Sequence, residues 1–207
     1  MNGTHILSCG LALIAGFETV KDAMANEDFV AFVSSLMNEE IVPLVIQNEI
    51  SHDEAAYFAS QVMDRFKNPF IDHYWKNITV QYTSKLMMRT VPLLEIHYSQ
   101  KKSAPQGMAL GYAAYILFMH SEKSAKNEFV SKLNDKHYII QDTKADILFE
   151  KWSTQPIQQV VTNVLSDVNL FGKDLTKYPG FVEAVNMFLA SLTQNGAIET
   201  IRTLCKK

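Results

Sequence analysis

The chain has 207 residues, of which 47% are hydrophobic and 20% charged, with 19 Lys and Arg against 22 Asp and Glu for a net charge of −3. That length can bury a substantial core, and that balance belongs to a globular chain rather than a disordered one. Acids and bases are interspersed, so no basic stripe is available to track a phosphate backbone, and nucleic acid is not expected as a partner.

The N-terminal stretch MNGTHIL places Asn2, Gly3 and His5 ahead of an apolar run from Ile6 to Phe17. This run lacks a basic lead, and at about a dozen residues it is too short for a bilayer, so it reads neither as a signal peptide nor as a membrane span. No later stretch reaches that length either, and no membrane partner is expected. The segment NEDFVAFVSSLMNEEIVPLV spaces Phe29, Phe32, Val33, Leu36, Met37 and Ile41 as one helical face, with Asn26 as its cap and Pro43 predicted to kink or end it. Ser51 to Glu54 read as a capping box opening SHDEAAYFASQVMDRF, and Asn68-Pro69 as a turn. In FIDHYWKNITVQYTSKL, strand propensity at Ile78 to Thr83 competes with helical flanks.

Further helices are predicted at Lys85 to Tyr98, Ala104 to His120 and Asp142 to Trp152, with Pro156 and Pro179 as first helical residues of two more. Gly196 is predicted to break the last of these, and only KHYIIQD reads as extended. The fold class expected is mainly α, a single helical domain over residues 1–207. Its eight glycines make no GxGxxG or phosphate loop, so the chain is not expected to hold a nucleotide by itself. Cys9 and Cys205 lie in no CxxC spacing and are expected to be reduced thiols of a cytoplasmic protein, which makes the two Asn-x-Thr triplets chance matches.

Two polar clusters stand out: Asn2 with His5, and a second running through Arg65, Asn68, Asp72, His73, Ser84, Lys85 and Arg89. Arg offers a rigid fork for carboxylates or vicinal hydroxyls, and His exchanges protons near neutral pH. Each also has an ordinary reading: Arg65 as a helix-end cation, His73 as a packed histidine beside Tyr74 and Trp75, and Lys85 and Arg89 as a solvated helix face. The remaining histidines show no HxH or HExxH spacing, and no metal site is expected.

Taken in order, NGTH, EEIVPLV, DRFKNPFIDHYWKNITVQYTSKLMMRTVPLL and DLTKYPGFVEAV resemble the C-terminal domain of the long-chain mannitol dehydrogenase family. The RFxNPxIxH stretch (Arg65 to His73) and the DLTxxPG segment are most like its tagaturonate-reducing members, the altronate oxidoreductases. The resemblance implies a helical domain resembling the 6-phosphogluconate dehydrogenase C-terminal-like fold, working with an N-terminal Rossmann domain that binds NAD and lies outside this chain. It implies hydride transfer between a sugar-acid carbonyl and a secondary alcohol, without a metal. Asn2 and His5 match the catalytic Asn-Gly-x-His. The Lys acid/base of that motif would stand five residues before Asn2, which is upstream of Met1 and so absent from this chain. Arg65 and His73 match substrate-binding positions, the latter a Lys in polyol-oxidising members. A hexonate carboxylate then needs a cation, with Arg65, Lys85 and Arg89 as candidates; Lys85 is the weaker substrate contact. Without its other half the chain is expected to be inactive and prone to self-association. The alternatives are a fructuronate (mannonate) reductase or polyol dehydrogenase domain, or an interaction module without activity.

Overall fold

The computed structural model describes residues 2–45, 52–66, 72–154 and 156–206. Met1, upstream of which the resemblance expects the acid/base Lys, lies outside the described residues. Helix α1 (Asn2–Ile14) runs through the centre. Between Gly3 and Leu13 every residue of α1 is buried except His5. A helix apolar on all sides belongs inside a core, and α8 (Gln106–Phe118) is its counterpart, buried continuously from Gly107 to Ile116. The two helices approach closely because Gly111 has no side chain: a Cβ there would lie 2.7 Å from Leu7 Cδ2 and 2.9 Å from the Leu7 carbonyl oxygen.

Helices α2 (Val20–Met24) and α3 (Glu27–Ser35) follow, and Asn26 caps α3 as expected, its Oδ1 accepting from the Phe29 N–H at 3.0 Å. Pro43 does not stop the helix. A widened π-helical turn (Leu36–Ile41) precedes it, and the chain continues as α4 (Val42–Val45). Such a widened turn accommodates the proline ring and its missing N–H. The same turn supplies Glu40, whose carboxylate accepts from the Gly107 and Met108 N–H groups at 2.6 and 2.9 Å. It thereby caps α8, whose own cap residue, Pro105, has no acceptor side chain.

Helix α5 (His52–Phe66) matches the helix predicted in SHDEAAYFASQVMDRF, while Ser51 of its capping box and the Asn68-Pro69 turn lie outside the described residues. The ambiguous segment resolves as helix: α6 (Trp75–Ile78), a turn through Gln81 in the left-handed region at φ +51°, then α7 (Tyr82–Gln100). Burial of Trp75, Ile78, Tyr82 and Leu86 outweighs the strand propensity of the residues between.

The predicted extended piece is β3 (Lys136–Ile139), but it pairs with β2 (Phe129–Leu133), and β2 with β1 (Glu122–Lys123), in an antiparallel order β1-β2-β3. Strand β1 is only two exposed residues, and the five of β2 (FVSKL) do not alternate apolar with polar, so neither leaves a period-2 signal. The remaining helices are α9 (Ala145–Thr154), α10 (Ile157–Leu165), α11 (Val168–Phe171) and α12 (Phe181–Cys205), the last packed along α8. Pro156 is the cap of α10 rather than its first residue. Pro179 is likewise not the start of α12, because Gly180 at φ +74° intervenes. Gly196 does break α12, at φ 77° and ψ 174°, a conformation closed to other residues. Cys9 is buried, Cys205 exposed, and both are free thiols. Among the described residues no helix is long and apolar enough to cross a membrane.

Candidate functional site

The N-terminal turn of α1, the segment before α6, α6 itself and the first turns of α7 converge on a cleft of about 220 Å³. It is lined by His5, His73, Asn77, Ile78, Lys85 and Arg89. Two larger grooves, of about 360 and 400 Å³, run beside β3 and share Lys76, His137 and Tyr138. The smaller cleft is the better candidate, because groups able to donate hydrogen bonds or exchange protons converge there from separate elements.

His5 is fixed by the enclosed helix that carries it. Its ring packs against Phe66 at the end of α5, centroids 3.9 Å apart, and lies 5.9 Å from the ring of His73. Phe66 is itself buried, so one face of His5 rests on an apolar surface while its edge reaches the cleft.

His73 is exposed but its backbone is held. Its carbonyl accepts from the Val20 N–H at 2.9 Å, and Trp75 N–H donates to the Glu18 carbonyl at 3.0 Å. A bridge between Thr19 and Tyr74, and an exposed ion pair of Lys21 with Asp72 at 2.5 Å, complete the attachment.

Lys85 and Arg89 sit one turn apart on α7, on the side facing the cleft. The start of α7 is pinned from outside the helix. Thr83 N–H donates to Asp142 Oδ2 at 2.7 Å, and Gln81 N–H to the Gln141 carbonyl at 2.7 Å. The hydroxyls of Thr83 and Thr90 bond those of Tyr115 and Tyr112 on α8, each at 2.8 Å. Lys85 Nζ donates to the Ile78 carbonyl at 3.1 Å. Burial holds the Lys85 ammonium below its ordinary pKa, and the Arg89 guanidinium lowers it further.

Four of the residues singled out in the sequence, His5, His73, Lys85 and Arg89, thus line one cleft. Asn2 starts α1, one helical turn before His5, but its side chain lies outside the described part of the structure. Arg65 is exposed in the last turn of α5, a position that also suits a helix-end cation, and is not among the cleft-lining residues. Asn77 and Phe66 are additions that the sequence does not flag; Phe66 stands inside the RFxNP stretch, where only its polar neighbours draw attention. Among the described residues no group of three His, Cys, Asp or Glu could hold a metal ion.

Residues 1–193 match the family model of the mannitol dehydrogenase C-terminal domain. The chain belongs to this family. Altronate oxidoreductase of Escherichia coli O139:H28 is 31% identical over 207 residues, 99% of this chain and 41% of that protein. The altronate oxidoreductase of Bacteroides thetaiotaomicron is 29% identical over 202 residues, 98% of this chain and 40% of that one. The chain therefore spans about two fifths of the length of these curated relatives. Among solved structures, Pseudomonas fluorescens mannitol 2-dehydrogenase, in ternary complex with NAD and D-mannitol, superposes with a TM-score of 0.85 at 23% identity. All of this chain and 39% of that one are covered. A substrate-free D-sorbitol dehydrogenase gives a TM-score of 0.74 at 16% identity, over 97% of this chain and 38% of the other. At these identities the two structures establish the mainly α fold of the family domain.

Proposed function

We propose that residues 1–207 form the substrate-binding domain of an NAD-dependent oxidoreductase that interconverts D-tagaturonate and D-altronate. The observation that carries this reading is the meeting of His5, His73, Lys85 and Arg89 in one cleft of a family domain whose named relatives include altronate oxidoreductases. The sequence has no glycine-rich turn for a dinucleotide, so NAD is assigned to a separate N-terminal domain, as the two-fifths coverage suggests. When bound there, NAD supplies the hydride chemistry.

The chain's own contribution is binding and orientation. Asn2, one turn from His5, donates its side-chain amide to the oxygen on which charge develops, as an oxyanion donor does. His5, held by Phe66, bonds a hydroxyl next to the reacting carbon and so limits which face is presented. His73 holds the more distant hydroxyls, Arg65 standing outside the cleft lining, and Lys85 adds positive charge from α7. The acid/base is assigned to a Lys five residues before Asn2, upstream of Met1 and outside this chain, so the chain alone is inactive in this reading.

The experiment is NADH consumption by the complete polypeptide, offered D-tagaturonate, D-fructuronate and D-fructose in parallel. Preference for tagaturonate supports the reading. Preference for either of the others keeps the dehydrogenase and replaces the substrate, and no turnover of any of them rejects the proposal.

A further inference from the structure

We propose that Arg89, assisted by Lys85 one turn away, is the subsite that recognises the carboxylate of a sugar-acid ligand, and that this pair, not Arg65, makes the cleft selective for acids over neutral polyols. The inference rests on the dehydrogenase reading above and goes beyond it by assigning the charge-reading residues.

The geometry favours this pair for three reasons. Both side chains line the cleft, whereas Arg65 is exposed at the end of α5 and is not among the lining residues. Among the described residues no carboxylate lines the cleft and neither Lys85 nor Arg89 is in an ion pair, although several other cations are. Two cations held one helical turn apart repel each other, and an anion between them removes that repulsion while gaining a forked, charge-assisted contact from the guanidinium. Burial lowers the proton affinity of Lys85, and the same repulsion lowers it further.

The arrangement also gives the ligand a direction. His5 projects from the first turn of α1, and the backbone of Arg89 packs beside that turn, its carbonyl 3.8 Å from where a Gly3 Cβ would lie. A six-carbon acid can therefore place its hydroxyls against His5 and His73 while its terminal carboxylate reaches α7. A neutral alditol of the same length keeps the first set of contacts and loses the second. Because Lys85 is already engaged with the Ile78 carbonyl, Arg89 is the member with the fork to offer.

The test is a ligand-detected NMR titration of the complete polypeptide with D-altronate and with uncharged D-altritol. It uses the wild type, Arg89→Gln, Arg89→Lys and, as a control on an exposed cation, Lys126→Gln. Thermal melting by circular dichroism checks that each variant is folded. Wild type and Lys126→Gln are expected to bind altronate at least about tenfold more tightly than altritol. Arg89→Gln should abolish that difference, and Arg89→Lys restore part of it. A folded Arg89→Gln chain that still prefers altronate, or a wild type that binds acid and alditol alike, overturns the subsite. In either case the NADH assay decides the dehydrogenase reading independently. Wild type that binds neither ligand at millimolar concentration also overturns it.

Discussion

The imidazole rings of His5 and His73 lie 5.9 Å apart, centroid to centroid, tilted by 46°. One comes from an enclosed helix and the other from a segment tied to residues 18–20, so their spacing is set by two independent parts of the fold. Both rings border the same cleft, so one ligand can meet the two histidines together. We therefore expect His5→Ala to lower kcat/KM of the complete enzyme on the order of 10²-fold. Loss of the Phe66 contact should cost at most about 1 kcal/mol of stability. Steady-state kinetics and thermal melts on the same variant separate the two; a melt collapse matching the activity loss would assign His5 to the core instead.

His73→Lys should shift substrate preference. The family resemblance places a Lys here in polyol-oxidising members, and the position is exposed, so folding should tolerate the change. The ratio of kcat/KM for D-fructose to that for D-tagaturonate is expected to rise about tenfold, one hydrogen bond's worth of discrimination. An unchanged ratio removes His73 from the specificity determinants.

Lys85 offers a pH-dependent reading. Burial and Arg89 lower its folded pKa, so the neutral amine gains population at a pH below that of an ordinary lysine. Removing the like charge favours the ammonium, and Arg89→Gln should raise the Lys85 pKa toward the ordinary value. Titration of the lysine side-chain signals by NMR in both chains measures this directly; a fall or no movement shows that the two charges do not interact.

Much of the helical framework is readable from period and punctuation: the α3 face, the Asn26 cap, the break at Gly196 and the positions of α7, α8 and α9 all follow from residue type and spacing. Pro43 marks the irregularity, but its form, a widened turn that lets the helix continue, has no sequence signature of its own. Pro179 misleads because the following Gly180 takes a left-handed conformation that postpones the helix. Strands β1 and β2 owe their existence to pairing partners that local propensity does not reveal. At the site, the residue types point to His5, His73, Lys85 and Arg89, yet that Arg89 and not Arg65 lines the cleft depends on which face of α5 and α7 turns inward. That is a property of packing, beyond what those two segments carry on their own.

Gly111→Ala tests the contact that seats α1. The added methyl would meet Leu7 at 2.7 to 2.9 Å, backbone oxygen included, so the helices must separate. Overpacking of this kind costs about 1–3 kcal/mol, against a gain of about 1 kcal/mol in helix propensity. A net loss in chemical denaturation is expected, together with weaker ligand binding because His5 moves with α1. A more stable variant would mean that the crossing is looser than described.

Asp167 links stability to pH. It pairs with Lys151 at 2.8 Å in a setting where the two side chains are only 15% and 20% exposed, and it caps α11 through the Asn169 N–H at 2.9 Å. Burial pushes its carboxyl up, but the Lys151 ammonium and the N–H donors more than offset this, and the folded pKa lies below the ordinary value. The stability it contributes is therefore full above the unfolded pKa of about 3.9 and is lost as pH falls through the folded one. Asp167→Asn keeps the cap and removes the charge. It should cost about 1 kcal/mol at pH 7, with the gap to wild type closing in acid. A gap independent of pH would place the effect in packing and not in the pair.

The enclosure of α1 gives the cleft one wall that cannot vary and one that can. Substitutions along α1 between Gly3 and Leu13 meet packed neighbours nearly everywhere, so the residues next to the reacting carbon tolerate little change. His73, Asn77 and the outward turns of α7 border solvent and can be exchanged without disturbing the core. New ligand preferences on this scaffold should therefore arise by replacing the far wall while the near one is inherited intact.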